Sequence, residues 1–518
     1  MFAGCAETFG GAGGGRTYDN PVVPGFHPDP SVCRVGEDYY LVCSSFEYFP
    51  GVPLFHSRDL VHWRQLGNVL DRPGQLTLPE GTPASGGVYA PTIRHHDGLF
   101  HVVTTVVGAG GNLLVTAERP EGPWSDPVWI DVPGIDPDLA WDENGDCWCA
   151  VAGVEVARID TRTGKVLEGP LPMWSGTGLR DPEAPHLYRV GAWWYLLVAE
   201  GGTALGHGVS VARARSPRGP WEPAPGNPLV SHRGTGEPVQ CTGHADLVRA
   251  ADGGWWAVLL GTRPRGWFPE FHVLGRETFL APVEWVDGWP RMGPVRERER
   301  APARWHPVEQ PPARDDFTAD ALAPQWISPR GRPDGSWSLA ERPGWLTLTA
   351  TGDSLDRAGH TFVGRRQQHP DCRAAALLDP GTARAGLSVR VDEAHHYDLE
   401  VHGGTVSAVA RIGPLRQTIS AHPLPPGRST LVVEIRTDRV PPPSGTVPGR
   451  SETTGVRAAG PDAVILSAET SAGVVRLAEL DGRYLSTQVA GGFTGRVIGM
   501  YVTEGRAAYD WFEYRPLS

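Results

Sequence analysis

No apolar run in the chain approaches the roughly 20 residues a helix needs to cross a bilayer, so no membrane-spanning helix is expected. The opening stretch MFAGCAETFGGAGGGR has neither a basic start nor an apolar centre, so no secretion signal is expected and a cytoplasmic location is. Basic residues are in deficit, 47 Lys and Arg against 59 Asp and Glu, for a net charge of -12. That excludes a nucleic-acid backbone or an anionic membrane surface as the main partner. Cysteine is sparse: seven scattered residues, an odd number, fit a reduced interior better than a disulfide framework. Cys147 and Cys149, one residue apart on a predicted strand, are expected to face opposite sides of it and to share no metal. Missing too is any useful amphipathic helical period, which counts against parallel α/β folds. Tryptophan, in contrast, is plentiful at 19, and each must pack or stack on something flat.

What is present is repetition. The first 300 residues give one figure five times, a strand, a short polar turn and a second strand. The copies read SVCRVGEDYYLVCSS, TIRHHDGLFHVVTTV, LAWDENGDCWCAVAG, HLYRVGAWWYLLVAE and DLVRAADGGWWAVLLG. Most of the turns carry the Gly, Asp or Asn that a tight hairpin demands, and the second strands are apolar enough to be buried on both faces. More polar stretches follow each hairpin and read as outer strands. A spacing of about fifty residues suits propeller blades. The expectation is an all-β chain: a flexible tail over 1–17, a five-bladed β-propeller over 18–303, a linker over 304–313 and an antiparallel, jelly-roll-like β-sandwich over 314–518. Residues 440–455, VPPPSGTVPGRSETTG, read as an exposed loop.

The residues just before the first strand of each hairpin carry the functional signal. They are Asp29 in FHPDPS, Thr92 in YAPT, Asp136 in GIDPD, Glu183 in DPEAPHLY and His244 in CTGHAD. Innermost propeller strands begin around the central axis, so these side chains are expected to converge. Pro28 and Pro30 are expected to hold Asp29 in extended backbone. Convergent carboxylates can hydrolyse a glycosidic bond: one stays protonated for the leaving oxygen, one activates water, and a third lifts the acid's pKa. Asp29 as a simple turn aspartate, Asp181 in place of Glu183, and Asp138 in place of Asp136 are the competing assignments.

The stretch YDNPVVPGFHPDPSVCRVGEDYYLVCSSFEYFPGVPLFHSRDLVHW resembles the start of glycoside hydrolase family 43 β-xylosidases and α-L-arabinofuranosidases. The resemblance continues through GGVYAPT, GIDPDLAWD, RDPEAPHLY, LVAEGGT, GHADLV and LGRETFLAPVEWVDGWP, and the second region resembles the family's accessory sandwich. It implies inversion, with Asp29 as general base, Glu183 as general acid and Asp136 as the carboxylate that tunes the acid. Base and acid would then stand roughly 6.5–9.5 Å apart. It further implies that Arg276 binds sugar hydroxyls, that Phe46 and Tyr89 wall the subsites, and that Thr203 reaches the outer one. His244 falls on a histidine at the propeller centre that also touches the substrate region and in some members helps hold calcium through water. Tyr89 and Thr92 stand where many members have tryptophan and aspartate, which leaves the leaving-group side of the pocket unlike theirs.

The expected activity is exo-release of terminal D-xylose from β-1,4-xylooligosaccharides, with α-L-arabinofuranosidase as the alternative. The competing reading from another class is a carbohydrate-binding propeller without catalysis. The expected partner is a small saccharide such as xylobiose, a xylooligosaccharide or an arabinoside; no cofactor is required, calcium is allowed, and homo-oligomerisation is compatible with the sequence. The loop GGFTGRVIG, with Phe493, is the candidate for closing one side of the pocket and enforcing exo action.

Overall fold

Period-2 burial along short strands, punctuated by turn residues, gives an all-β chain. The computed structural model describes residues 15–266, 269–438, 460–471 and 473–517. Loop 440–455 and most of the N-terminal tail lie outside them. Among the described residues, no helix is long and apolar enough to cross a membrane.

All five expected hairpins form, four of them extending into four-stranded antiparallel sheets with strands in chain order and the second into a five-stranded sheet, where Gly87–Val88 also pairs with Leu99–Val107. The hairpins pair Ser31–Val35 with Asp38–Val42, Thr92–His96 with Leu99–Val107, Asp138–Trp141 with Cys147–Val151, Glu183–Val190 with Trp193–Glu200, and Gln240–Arg249 with Trp255–Thr262. The turn between His96 and Leu99 shows why the sequence permits this. Asp97 and Gly98 both take positive φ, 49° and 79°, as a two-residue turn matching strand twist requires.

Apolar side chains join each sheet to the next. Val42 and Leu54 meet Val102 and Leu113; Val103 and Leu114 meet Leu139 and Cys149; Trp148 and Ala150 meet Leu187 and Leu196. Leu197 and Val209 then meet Leu247 and Leu259, and Val248 and Trp256 return to Val32 and Leu41. The cycle of five cores is closed. Thr17–Asp19 pairs with Arg298–Arg300 as a separate two-stranded sheet, and the Tyr18 hydroxyl ties it to the fifth sheet by donating to the Leu280 carbonyl at 2.6 Å.

Two expectations fail here. Asp29 is not extended: its φ is +55°, and that of Asp136, also followed by proline, is +54°. Hydrogen bonds and packing hold these residues in a region that costs a non-glycine residue on the order of 1–3 kcal/mol. Cys147 and Cys149 do not face opposite sides either. With one residue between them, strand alternation puts both on one face, inside the core shared by the second and third sheets. Both are buried free thiols.

From Arg314 onward the chain builds a β-sandwich-like domain of an eight-stranded and a six-stranded sheet around one core that includes Trp326, Leu387, Leu431, Met500 and Phe512. It is docked closely on the first region. Ser328–Pro329 pairs with Tyr48–Phe49, and Phe26, Phe46 and Tyr48 pack with Ile327, Phe362 and Tyr501. At Gly275 the backbones touch: a Cβ there would lie 2.9 Å from the Gly495 nitrogen. The connecting segment is a strap along the first sheet, with Trp305 edge-on to His62 at 4.4 Å and the His306 amide donating to Asp59 at 2.6 Å.

Candidate active site

The strand mouths bring the expected carboxylates together. Asp29 and Asp136 are each only 7% exposed, and a quarter of the Glu183 side chain (24%) reaches solvent. Ser44 Oγ donates to Asp29 Oδ2 at 2.6 Å, and His244 Nδ1 stands 3.4 Å from Asp29 Oδ1. The Ala184 amide, next to Glu183, donates to Asp136 Oδ2 at 3.2 Å. Ala184 and His244 share the positive φ of the two aspartates, 50° and 51°. Strained backbone thus recurs at four of these positions, as it often does at functional sites.

The competing carboxylates go elsewhere. The Asp181 side chain is 63% exposed and faces Arg180 at 3.5 Å. Asp138 opens its strand and accepts the Leu187 amide at 2.7 Å.

Burial, and then the charge of Asp29, push the Glu183 carboxyl from its ordinary 4.5 up to about 7. Burial, then Glu183 and then Asp29, hold Asp136 well above the usual range. Asp136 and Glu183 therefore retain a proton between them near neutrality. The lift on Glu183 comes first from burial and then from neighbouring negative charge.

Arg276 is 8% exposed, donates to Thr203 Oγ1 at 2.5 Å and lies over the Phe493 ring at 4.7 Å. Its acidic neighbour Glu277 is engaged by Arg263 at 2.7 Å. Phe46, Tyr89 and Phe493 form an aromatic corner with ring centres 5.7 to 6.0 Å apart. The Phe493 amide donates to Ser85 Oγ at 2.8 Å, so a loop of the sandwich reaches the aromatic residues beside the carboxylates.

That loop is anchored by Arg496, which is fully buried and forks onto Asp462 at 2.7 and 2.9 Å. Asp462→Ala strands the guanidinium and is expected to cost about 3–5 kcal/mol, read as a lower denaturant midpoint.

Three neighbours of the site were not singled out by sequence. Ser44 was hidden inside an apolar run. His207, 1% exposed in its side chain, sets Nε2 3.7 Å from Glu183 Oε1 while Nδ1 stands 3.2 Å from the Cys241 carbonyl. Burial pushes its pKa down to about 3, so it is neutral. Arg94 spans Asp138 and Asp246 at 2.7 and 2.8 Å and donates to His186 at 3.1 Å.

The sequence profile of glycosyl hydrolases family 43 matches residues 18–290, more than half the chain. The chain belongs to glycoside hydrolase family 43. The profile of the β-xylosidase C-terminal concanavalin A-like domain matches residues 314–515. A non-reducing end α-L-arabinofuranosidase of Bacteroides ovatus is 38% identical, over 97% of this chain and 95% of its own. A xylosidase/arabinosidase of Butyrivibrio fibrisolvens is 38% identical over 77% and 82%. The crystal structure of a xylan β-1,4-xylosidase from Bacillus halodurans superposes with a TM-score of 0.86 at 32% identity, covering 96% of this chain and 100% of the other. This family 43 member is a glycoside hydrolase, which sets aside the non-catalytic binding protein.

Proposed function

We propose that this chain is an inverting exo-glycosidase releasing terminal D-xylose from β-1,4-xylooligosaccharides. Asp29 takes a proton from the water that attacks the anomeric carbon. Glu183 gives its proton to the departing oxygen, so the old C–O bond breaks as the new one forms on the opposite face. Asp136, held by the Ala184 amide, tunes the acid by its charge, and Arg276 with Thr203 holds sugar hydroxyls. Phe46, Tyr89 and Phe493 wall the ring, and the Phe493 loop limits the pocket to chain ends.

The observation that carries this reading is the meeting of Asp29, Asp136 and Glu183 with the Glu183 carboxyl pushed up to about 7. Residues 18–303 are read as a five-bladed propeller, 304–313 as its linker and 314–518 as the accessory sandwich. The closed cycle of five inter-sheet cores supports the propeller.

Calcium is given no step. Among the described residues no group of three acidic, His or Cys side chains is arranged to hold a metal. The positive charge beside His186 and the inner strands is already supplied by Arg94. Burial pushes His244 down to about 4, so it stands neutral beside Asp29 and positions it.

The α-L-arabinofuranosidase reading stays as the second, favoured by the Bacteroides ovatus relative matched across 97% of this chain. A proton NMR time course on nitrophenyl β-D-xyloside, whose only sugar product is the xylose of the cleaved bond, tests the first: α-xylose is expected as the initial product. Initial β-xylose rules out inversion, and strong preference for the arabinofuranoside of two nitrophenyl pentosides favours the second reading.

A further inference from the structure

Away from the carboxylate cluster, the six-stranded sheet of the sandwich carries a cavity of about 360 Å³, within the roughly 300–1,000 Å³ of small-molecule sites. Its walls follow from register. Gly386 lies between Tyr501 and Glu400 on adjacent strands, and Ser388 lies opposite Asp398, so alternation puts these residues on one face. Thr503, Arg384, His396 and Arg416 complete the wall, and residues 353–356 form the lip.

Two hydroxyls in this wall, those of Tyr501 and Thr503, have no hydrogen-bond partner. Their residues are 1% and 6% exposed, so each leaves a buried polar group unsatisfied. Gly386 lets the Tyr501 hydroxyl lie close over the sheet, since a Cβ there would meet the Leu399 carbonyl and come within 2.9 Å of that hydroxyl.

The charges say what fits. Glu400 takes Arg384 at 2.7 Å, and Asp398 and Asp356 take the two ring nitrogens of His396 at 2.8 and 3.1 Å. Burial opposes the charged imidazole, yet Asp398 and then Asp356 push it up to about 9, so it is a cation. A metal ion would have to displace these cations from the carboxylates, and an anion would have to displace the carboxylates from them. A neutral ligand with several hydroxyls does neither. It takes the free lone pairs and N–H groups and satisfies the two orphaned hydroxyls.

We propose that this cavity is a second saccharide site, binding one neutral sugar ring apart from the carboxylate cluster. Its use would be retention: a fragment held on the sandwich raises the local concentration of chain ends near the hydrolytic site.

Calorimetric titration with the neutral trisaccharides of xylose, arabinose and glucose tests this in the full chain carrying Asp29→Asn, which keeps the ligands intact. Adding Tyr501→Phe with Thr503→Val removes both orphaned hydroxyls, and their buried loss is tolerated by the fold. Binding of at least one trisaccharide is expected to weaken about 10-fold. Adding Arg416→Ala at the cavity mouth instead is expected to weaken the same event, while Arg416→Ala alone leaves nitrophenyl xyloside turnover unchanged. Identical isotherms in all three proteins overturn the proposal. So does a heat of binding for calcium chloride or sodium phosphate that these substitutions abolish while the sugars give none. Failure of Asp29 as a base would show separately, as trisaccharide cleavage in the parent variant.

Discussion

Asp29→Asn is expected to lower kcat on xylobiose by about 10²–10⁴-fold with little change in KM. The choice of asparagine decides between roles. Asp29 holds a φ of +55°, where alanine would add backbone strain to any chemical effect. Asparagine is among the few residues that tolerate positive φ, and its amide oxygen can still accept from Ser44 Oγ, now at 2.6 Å from Asp29 Oδ2. A turn aspartate that only shaped the backbone would therefore survive the exchange with rate and melting temperature intact. A general base would not, because the amide cannot take a proton from water. Steady-state kinetics on xylobiose, beside a thermal melt, separates these outcomes: an unchanged kcat removes Asp29 from the reaction. Phe493 offers a contrast within the same pocket. It walls the ring and carries no proton, so it has no part in this loss.

The same contrast shows what could be read from sequence. The five hairpins were legible because strand alternation and turn chemistry are local, as at Asp97–Gly98, where residue preference and the observed φ values agree. The carboxylates were legible by position, each one just ahead of an apolar strand. Their backbone was not. The pre-proline preference points to extended geometry, whereas tertiary packing imposes positive φ on Asp29 and Asp136. His207 and Arg94 were missed for another reason. A lone histidine past a turn and an arginine on a strand read as surface residues until folding places them beside Glu183 and between Asp138 and Asp246. Phe493 was legible only through its glycine-flanked loop, whose partner Ser85 lies 408 positions away in the chain.

Glu183→Gln is expected to separate substrates by leaving group and to remove a pH-dependent loss of stability. The reducing-end xylose of xylobiose would depart as a basic alkoxide that needs a proton, so xylobiose turnover is expected to fall about 10²–10⁴-fold. Nitrophenolate leaves without help, and the nitrophenyl xyloside is expected to lose far less. In the parent enzyme the acid must be protonated. Activity is therefore expected to decline on the alkaline side with an apparent pKa near 7, the value to which burial and Asp29 push the Glu183 carboxyl. That limb disappears in the variant. The stability effect has a definite sign. A carboxyl raised from 4.5 to about 7 binds a proton in the folded state that the unfolded chain has already released, so stability falls as pH rises through that window. Above pH 7 the penalty is complete. Glutamine carries no charge to bury, so the variant is expected to be more stable than the parent by about 1–3 kcal/mol at pH 8 and nearly equal to it at pH 4.5. Denaturant unfolding at the two pH values measures the difference. A variant less stable at pH 8 would mean that the parent glutamate is held by favourable contacts rather than by enforced burial, and the proton it is assigned in catalysis would have no source.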